Sequence, residues 1–225
     1  MRWLPILVLA ACDPVDPATP KDASEDAPDA IPCGTPTLTG ELIDWDSTTT
    51  AFMGIAGATV SLEGGATGDP TPPNGRWELC ASGDPIRLVI ETPGTYVDAL
   101  GYVENTASGA RALSLRSFTA ARAETFYSER GLGYDPALAH VLVFFSGDRF
   151  ELALDRAHAA PQAANDDDGD GAFTWSDGPV GSYVLFPNVA VTQPTGTFTG
   201  DGSGPHTIPL VAGKLTIAAI HHVFL

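Results

Sequence analysis

The chain has 225 residues, with 28 acidic side chains against 11 basic ones and a formal net charge of −17. Its lysines and arginines form no cluster in the sequence, so the basic surface that follows a phosphate backbone is missing and we expect no nucleic-acid partner. The acidity favours solubility and divalent-cation binding and indicates nothing about the fold.

The first twelve residues predict the compartment. One cation, Arg2, precedes a short apolar run that ends in Leu-Ala-Ala-Cys at Cys12. The segment resembles a bacterial lipoprotein signal with its lipobox, which implies that residues 1–11 are a cleaved signal peptide and that Cys12 carries lipid. Because the run is far shorter than the roughly 20 residues of a spanning helix, acyl chains would anchor the protein. We expect it in the bacterial cell envelope, at the outer membrane or the periplasmic face of the inner membrane. A soluble secreted protein is the alternative.

Residues 12–32 contain five prolines and six acidic residues but one lysine. Proline favours extended backbone, like charges repel, and almost nothing apolar is available to bury. We therefore predict a disordered, acidic tether between the lipidated cysteine and the folded part of the chain.

The cysteine count agrees with export. If Cys12 carries lipid, Cys33 and Cys80 remain as one pair, and such a pair normally forms a disulfide in an oxidising compartment. The alternative, a Cys-His metal site, lacks a CxxC motif and a nearby histidine.

From Cys33 onward the sequence favours strands. Apolar residues alternate with polar ones in residues 38–43, 59–63, 76–80 and 87–91, and Gly/Pro-rich segments separate these runs. Asn74-Gly75 suits the positive φ angles of a tight hairpin. Two sheets packed face to face would bury one shared core, made of Val60, Leu62, Trp77, Leu79, Leu88 and Ile90.

Residues 40–44, 54–62 and 73–79 resemble the G-x-V-x-D, I-x-G-A-x-V-x-L and G-x-[FWY]-x-L segments of carboxypeptidase regulatory-like domains. The resemblance covers about residues 34–116, and we place this domain at 33–116. It implies a transthyretin-like Greek-key sandwich, with residues 47–52 as a lengthened loop. Modules of that family are typically non-enzymatic, so it contributes no catalytic residue.

Residues 117–133 change to a helical period, with Ser117 able to cap the start and Gly131 the end. Phe118, Ala121 and Thr125 fall on one stripe. We predict a short helix that connects two lobes; the alternative is a helix that plugs one sandwich.

Strand patterns resume at residues 139–145, 150–154, 182–189 and 214–220. We expect 134–225 to be a second, more divergent sandwich. The predicted fold is thus all-β, with tandem transthyretin-like Greek-key sandwiches joined by a short helix.

An acidic stretch gives the sharpest chemical pattern. In residues 166–177, Asp166, Asp168, Asp170 and Asp177 match positions 1, 3, 5 and 12 of an EF-hand-like calcium loop, with Gly171 at the turn. The last ligand is aspartate rather than glutamate, and no flanking helix is evident. An acidic hairpin without metal is the alternative, so Ca²⁺ is a possible cofactor and no other is expected.

Enzyme signals are weak. Residues 200–206 resemble the Gly-Asp-Ser-Gly-Gly-Pro loop of trypsin-like proteases, but Ser203 is displaced by one position and the upstream Ala-His-Cys segment that would supply its base is missing. We interpret the segment as a flexible loop. His140 and His158 stand alone in the sequence, and adjacent His221 and His222 would point to opposite faces of a strand.

Two functions remain open. The first is a non-catalytic, membrane-anchored lipoprotein whose sandwiches bind an unknown protein or glycan or act as a spacer. The second is a calcium-dependent carbohydrate-binding module, with Trp175, Tyr183 or Trp45 as stacking platforms. Exposed aromatic rings beside the acidic loop would favour glycan binding, whereas buried rings would favour the spacer.

Overall fold

A computed structural model describes residues 37–65, 67–81, 83–105, 111–145, 149–165, 171–202 and 204–221. Its elements are sixteen strands and one helix: β1 (Thr37–Asp44), β2 (Thr59–Leu62), β3 (Arg76–Cys80), β4 (Ile86–Glu91), β5 (Ala99–Asn105), β6 (Arg111–Ser117), α1 (Ala120–Ser128), β7 (Ala139–Phe145), β8 (Phe150–Glu151), β9 (Ala153–Leu154), β10 (Gln162–Asn165), β11 (Thr174–Asp177), β12 (Val180–Gly181), β13 (Tyr183–Val189), β14 (Thr195–Thr199), β15 (His206–Pro209) and β16 (Leu215–His221). The all-β prediction is confirmed.

One eight-stranded sheet runs through the molecule, in the order β11-β10-β13-β7-β16-β5-β4-β2. Its centre is β16, which pairs in parallel with β5 on one side and with β7 on the other. A three-stranded sheet, β3-β1-β6, and a second one, β15-β14-β9, lie outside it. The last strand of the chain therefore joins its two halves.

Alternate residues of the central strands enter two different cores. Ile217 and Ala219 of β16 belong to a helix-side core, which also contains α1 and the β3-β1-β6 sheet. Ala218 and Ile220 belong to a hairpin-side core with Phe198 of β14 and other residues of that side. Because successive strand residues point to opposite faces, a central sheet buried on both faces must be apolar at nearly every position. All seven residues of β7 are buried, as this requires.

This arrangement corrects the predicted division into tandem sandwiches at 33–116 and 134–225. Residues 33–225 form one compact unit, and strands from both halves share the central sheet. The parallel pairing of β16 with β5 joins segments that are distant in sequence, and local alternation carries no signal for such a pairing.

The predicted core is well placed. Val60, Trp77, Leu88 and Ile90 are buried, while Leu62 and Leu79 are partly buried against the same core. Asn74-Gly75 does form a turn, with Gly75 at φ +69°. It is not the turn of a hairpin, because β2 pairs with β4 and β3 pairs with β1. The glycine is needed since a Cβ there would lie 2.1 Å from the carbonyl oxygen of Leu42.

The helix is shorter than predicted and is capped differently. Thr119, not Ser117, is the N-cap, and its side chain accepts a hydrogen bond from the backbone N–H of Arg122. The Ser117 hydroxyl instead donates to the carbonyl of Val97, 2.9 Å away. The buried helix residues are Ala123, Phe126 and Tyr127, whereas Ala121 and Thr125 of the predicted stripe are exposed. Because Ala123, Phe126 and Tyr127 belong to the helix-side core, α1 covers that core.

Candidate functional site

A cleft of about 250 Å³ lies where the loop after β1, the helix α1 and the hairpin β10–β11 meet. Its lining comes from these segments: Trp45, Asp46, Thr48, Arg122, Phe126, Arg130, Gly171, Ala172, Phe173 and Trp175. We call it the distal cleft, because its loop residues follow Asp44, the end of β1 that lies opposite the first strand residue, Thr37.

The loop after β1 is held by its own hydrogen bonds. The hydroxyl of Ser47 accepts from the backbone N–H of Met53 at 3.0 Å, and Thr48 accepts from the N–H of Ala51 at the same distance. Ser47 is buried. The insertion predicted at 47–52 is thus an ordered loop, and it presents Phe52 and Met53 to solvent.

Arg116 joins this loop to the hairpin. Its guanidinium donates to the carbonyls of Trp45 (3.0 Å) and Ser47 (2.7 Å) through one nitrogen, and to the carbonyl of Gly171 (3.2 Å) through another. The guanidinium also lies 4.4 Å from the ring centroid of Phe173. A planar fork of donors suits several carbonyls at once, so we assign Arg116 a structural role in shaping the cleft.

The floor of the distal cleft is a set of packed aromatic rings. Trp45 and Trp175 are stacked with centroids 5.4 Å apart, and Phe126 meets both of them edge-on. Trp45 is 4% exposed, so it cannot serve as a stacking platform for a ligand. Tyr183 is partly buried and stacks on Phe144. Trp175 is the third predicted platform. It is partly exposed and lines the cleft.

Two arginines of the α1 region complete the cleft. Arg122 forms a two-pronged ion pair with Asp46, at 2.6 and 2.8 Å, and these hydrogen bonds raise its pKa. Arg130 lies 3.7 Å from the ring centroid of Phe126 and donates to the carbonyl of that residue; burial lowers its pKa. Sequence reasoning missed both arginines. The spacing of four between Arg122, Phe126 and Arg130 places them on one helical face and could have revealed them.

The acidic stretch ends in a β-hairpin. β10 and β11 pair antiparallel, with Asn165 opposite Thr174 at the turn end and Gln162 opposite Asp177 at the other. Asp177 is therefore about 10 Å from Thr174 along the strand. Its assignment as the twelfth residue of a calcium loop stays a prediction. Asp166, Asp168 and Asp170 lie outside the described residues, and their calcium site stays a prediction. Within the described residues, no group of three or more His, Cys, Asp or Glu side chains could hold a metal.

The other predicted site residues are distributed differently. Cys80 ends β3, whereas Cys12 and Cys33 lie outside the described residues, so lipidation and the disulfide stay predictions. Trp77 is a core residue, as expected. His221 ends β16, and its neighbour His222 lies outside the part of the chain that is described.

The segment interpreted as a flexible loop contains a buried polar cluster. His206 lies between two carboxylates, with Nδ1 2.6 Å from Glu104 Oε2 and Nε2 2.8 Å from Asp201 Oδ2. Its ring stacks on Phe198, and Tyr102 donates to the same oxygen of Glu104. The cluster joins β15 to the central sheet. Ser203 lies outside the described residues, so the structure adds nothing to the protease-like pattern.

His140 does not stand alone. Its Nδ1 lies 2.7 Å from the hydroxyl of Tyr127, and its ring stacks on Tyr134 with centroids 4.9 Å apart. The side chain is fully buried, and this burial lowers its pKa to about 4. His140 is thus a neutral core residue that connects β7 to the segment after α1.

No protein-family model matches the chain, and no curated protein is recognisably similar to it. Solved structures that are similar in part include the following two. The Bacillus anthracis TIE protein is 10% identical, with a TM-score of 0.25, over 82% of this chain and 33% of that one. Shaft pilin SpaA from Lactobacillus rhamnosus GG is 11% identical, with a TM-score of 0.27, over 85% of this chain and 100% of that one. This chain spans about a third of the TIE protein. TM-scores this low support no conclusion about the function of this chain.

No helix within the described ranges has both the length and the apolar character that crossing a bilayer requires.

Proposed function

We propose that this protein is a non-catalytic binding module of the bacterial cell envelope, built on β-sandwich layers and anchored by lipid on Cys12. The acidic segment 12–32 serves as the tether, and the compact unit that follows is the part presented to partners. The carboxypeptidase regulatory-like resemblance of residues 33–116 belongs to the same proposal.

One observation carries this proposal: the way the distal cleft is assembled. Segments from both halves of the chain meet there, and two arginines hold those segments in place. Arg122 is paired with Asp46, and Arg116 donates to three backbone carbonyls. Such pairing shapes a surface for recognition, whereas acid–base catalysis requires groups placed to exchange protons with a substrate.

The lipid anchor is tested by fractionating cells that express the full chain or its Cys12→Ala variant. We expect the parent protein in the membrane fraction and in the detergent phase, with a mass increase from acylation at Cys12. The variant should leave the membrane fraction and the detergent phase, and it should show no mass increase. Ser24→Ala, in the tether, is the matched control and should behave as the parent. A parent protein without acylation would contradict the anchoring proposal.

Export also predicts the disulfide between Cys33 and Cys80. Non-reducing peptide mapping of the exported protein should recover the two cysteines in one linked peptide. In the chain-entropy model, losing the bond would cost roughly 3–4 kcal/mol of stability. Two free thiols in the exported protein would contradict this part of the proposal.

A further inference from the structure

A second groove, of about 460 Å³, also borders Trp175. It is open to solvent and lined by Glu129, Arg130, Gln162, Trp175, Ser176 and Asp177. Its size falls within the range of about 300–1,000 Å³ that small-molecule sites occupy. We call it the Trp175 groove. Trp175 and Arg130 line both the groove and the distal cleft.

The wall formed by β10 and β11 is fixed in place. Gln162 is 1% exposed, and its Nε2 donates to Asp177 Oδ1 at 3.0 Å and to the carbonyl of Pro161 at 3.1 Å. Its Oε1 is buried and has no hydrogen-bond partner among the described residues. A buried acceptor without a donor is unfavourable. Gln162 lines the groove, so a ligand hydroxyl bound there would donate the missing hydrogen bond to Oε1.

The guanidinium of Arg130, which also lines the groove, is held in place. Arg130 lies over the ring of Phe126, donates to its carbonyl at 2.9 Å and contacts Glu129 Oε2 at 3.4 Å. A guanidinium carries five N–H donors, so these contacts leave Arg130 with donors for a further acceptor. The groove thus combines the planar donors of Arg130 with the acceptors Asp177 and Gln162.

Trp175 of β11 also lines the groove. Trp45 covers one face of its indole in a parallel stack, and Phe126 and Phe173 approach it edge-on. These contacts fix the ring while leaving it partly exposed. The face of an aromatic ring carries partial negative charge, which attracts the C–H groups of a sugar ring.

Charge distinguishes the possible ligands. Arg130 balances Glu129, and Asp177 already accepts a hydrogen bond from Gln162. The groove thus has two carboxylates and one guanidinium beside an aromatic surface, and it presents no excess of cations for an anion. A neutral ligand with several hydroxyls matches this set of donors and acceptors better than an anion does.

From this geometry we propose that the Trp175 groove binds a neutral sugar without a metal. The sugar ring packs on Trp175, and its hydroxyls hydrogen-bond to Asp177, Arg130 and Gln162. In this assignment Asp177 contacts the ligand directly and is not a calcium ligand. The proposal goes beyond anchoring and presentation, and it stands or fails separately from lipidation at Cys12.

The test uses the full chain purified in a zwitterionic, sugar-free detergent. Cellotriose, maltotriose, mannotriose and N,N′,N″-triacetylchitotriose are titrated by calorimetry and by tryptophan emission, with EDTA and then with millimolar Ca²⁺. We expect at least one of these sugars to bind with equal affinity under both conditions. Failure of all four sugars to bind would overturn the proposal, and so would binding that requires Ca²⁺.

Variants locate the site. Asp177→Asn keeps the shape of the side chain and should weaken binding by about tenfold, the effect of losing a hydrogen bond to a charged group. Ser176→Ala, on the same strand, should weaken it less. Glu124→Gln, on the exposed face of α1 outside the groove, removes the same charge and should bind as the parent. Thermal melts establish that each variant is folded. Unchanged affinity in folded Asp177→Asn would overturn the assignment.

Discussion

The indole rings of Trp45 and Trp175 stack on each other at an interplanar angle of 16°, although they belong to opposite halves of the sequence. Trp45 follows β1 in the small sheet, and Trp175 lies on the edge strand of the central sheet. This contact closes the helix-side core at the end where the distal cleft lies. It also gives the cleft and the Trp175 groove a common wall.

The stack predicts a measurable coupling. Trp45→Ala should lower the free energy of unfolding by about 3–5 kcal/mol, because a large buried ring is removed. Trp175→Ala should cost less, since that ring is partly exposed. In a double-mutant cycle followed by urea denaturation, the two losses should couple by about 0.5–1.5 kcal/mol. Losses that simply add would show that the stack contributes no specific energy.

Arg116 supplies the second prediction. Arg116→Met should cost about 2–4 kcal/mol, because the carbonyls of Trp45, Ser47 and Gly171 lose a buried donor. Amide exchange should rise in the loop after β1. Arg76→Met is the matched control: that arginine is largely exposed and lies 3.5 Å from Glu41, and exposed pairs contribute about 1 kcal/mol or less. Equal losses in both variants would contradict the role given to Arg116.

Gly40 is a position where close packing excludes a side chain. A Cβ there would lie 2.4 Å from Cζ2 of Trp77 and 2.5 Å from the carbonyl oxygen of Leu113. Gly40→Ala should therefore destabilise the protein by about 1–3 kcal/mol, as overpacked cores do. Gly133→Ala is the control, because its Cβ would meet nothing within 4 Å. Thermal or urea unfolding measures both, and a Gly40→Ala variant as stable as the control would refute the argument.

Local patterns predicted several strands well, whether one face or both faces of the strand are buried. The expected runs 59–63, 76–80 and 139–145 match β2, β3 and β7 to within one residue, because alternation or a continuous apolar run encodes burial directly. The pairing partners were not predictable in this way. The sequence of β16 predicts a strand, but it contains no signal that β5 and β7 will be its neighbours in the sheet.

The candidate site was predictable in its parts but not in its assembly. The sequence singled out Asp177 and Trp175, whereas the strand register decides that Asp177 lies opposite Gln162 and away from the turn. Arg116 gave no sequence signal at all, because its value depends on carbonyls from two distant segments. A one-dimensional motif cannot contain such contacts.

The last prediction concerns acid. Burial lowers the pKa of His140 to about 4, while the nearby Asp135 acts in the opposite direction; in the unfolded chain the pKa of a histidine is about 6.5. As pH falls below about 6.5, His140 becomes protonated in the unfolded chain but stays neutral in the folded protein. The stability of the folded protein therefore decreases until pH reaches about 4. The shift corresponds to about 3 kcal/mol.

His140→Asn keeps an acceptor for the Tyr127 hydroxyl but does not titrate in this range. Urea denaturation at intervals between pH 7 and pH 4 should therefore show a steeper loss of stability in the parent than in the variant. Carboxylates titrate in both proteins, so the difference between the two curves isolates the histidine. Parallel curves would mean that His140 is accessible to protons in the folded state, contrary to its burial between Tyr127 and Tyr134.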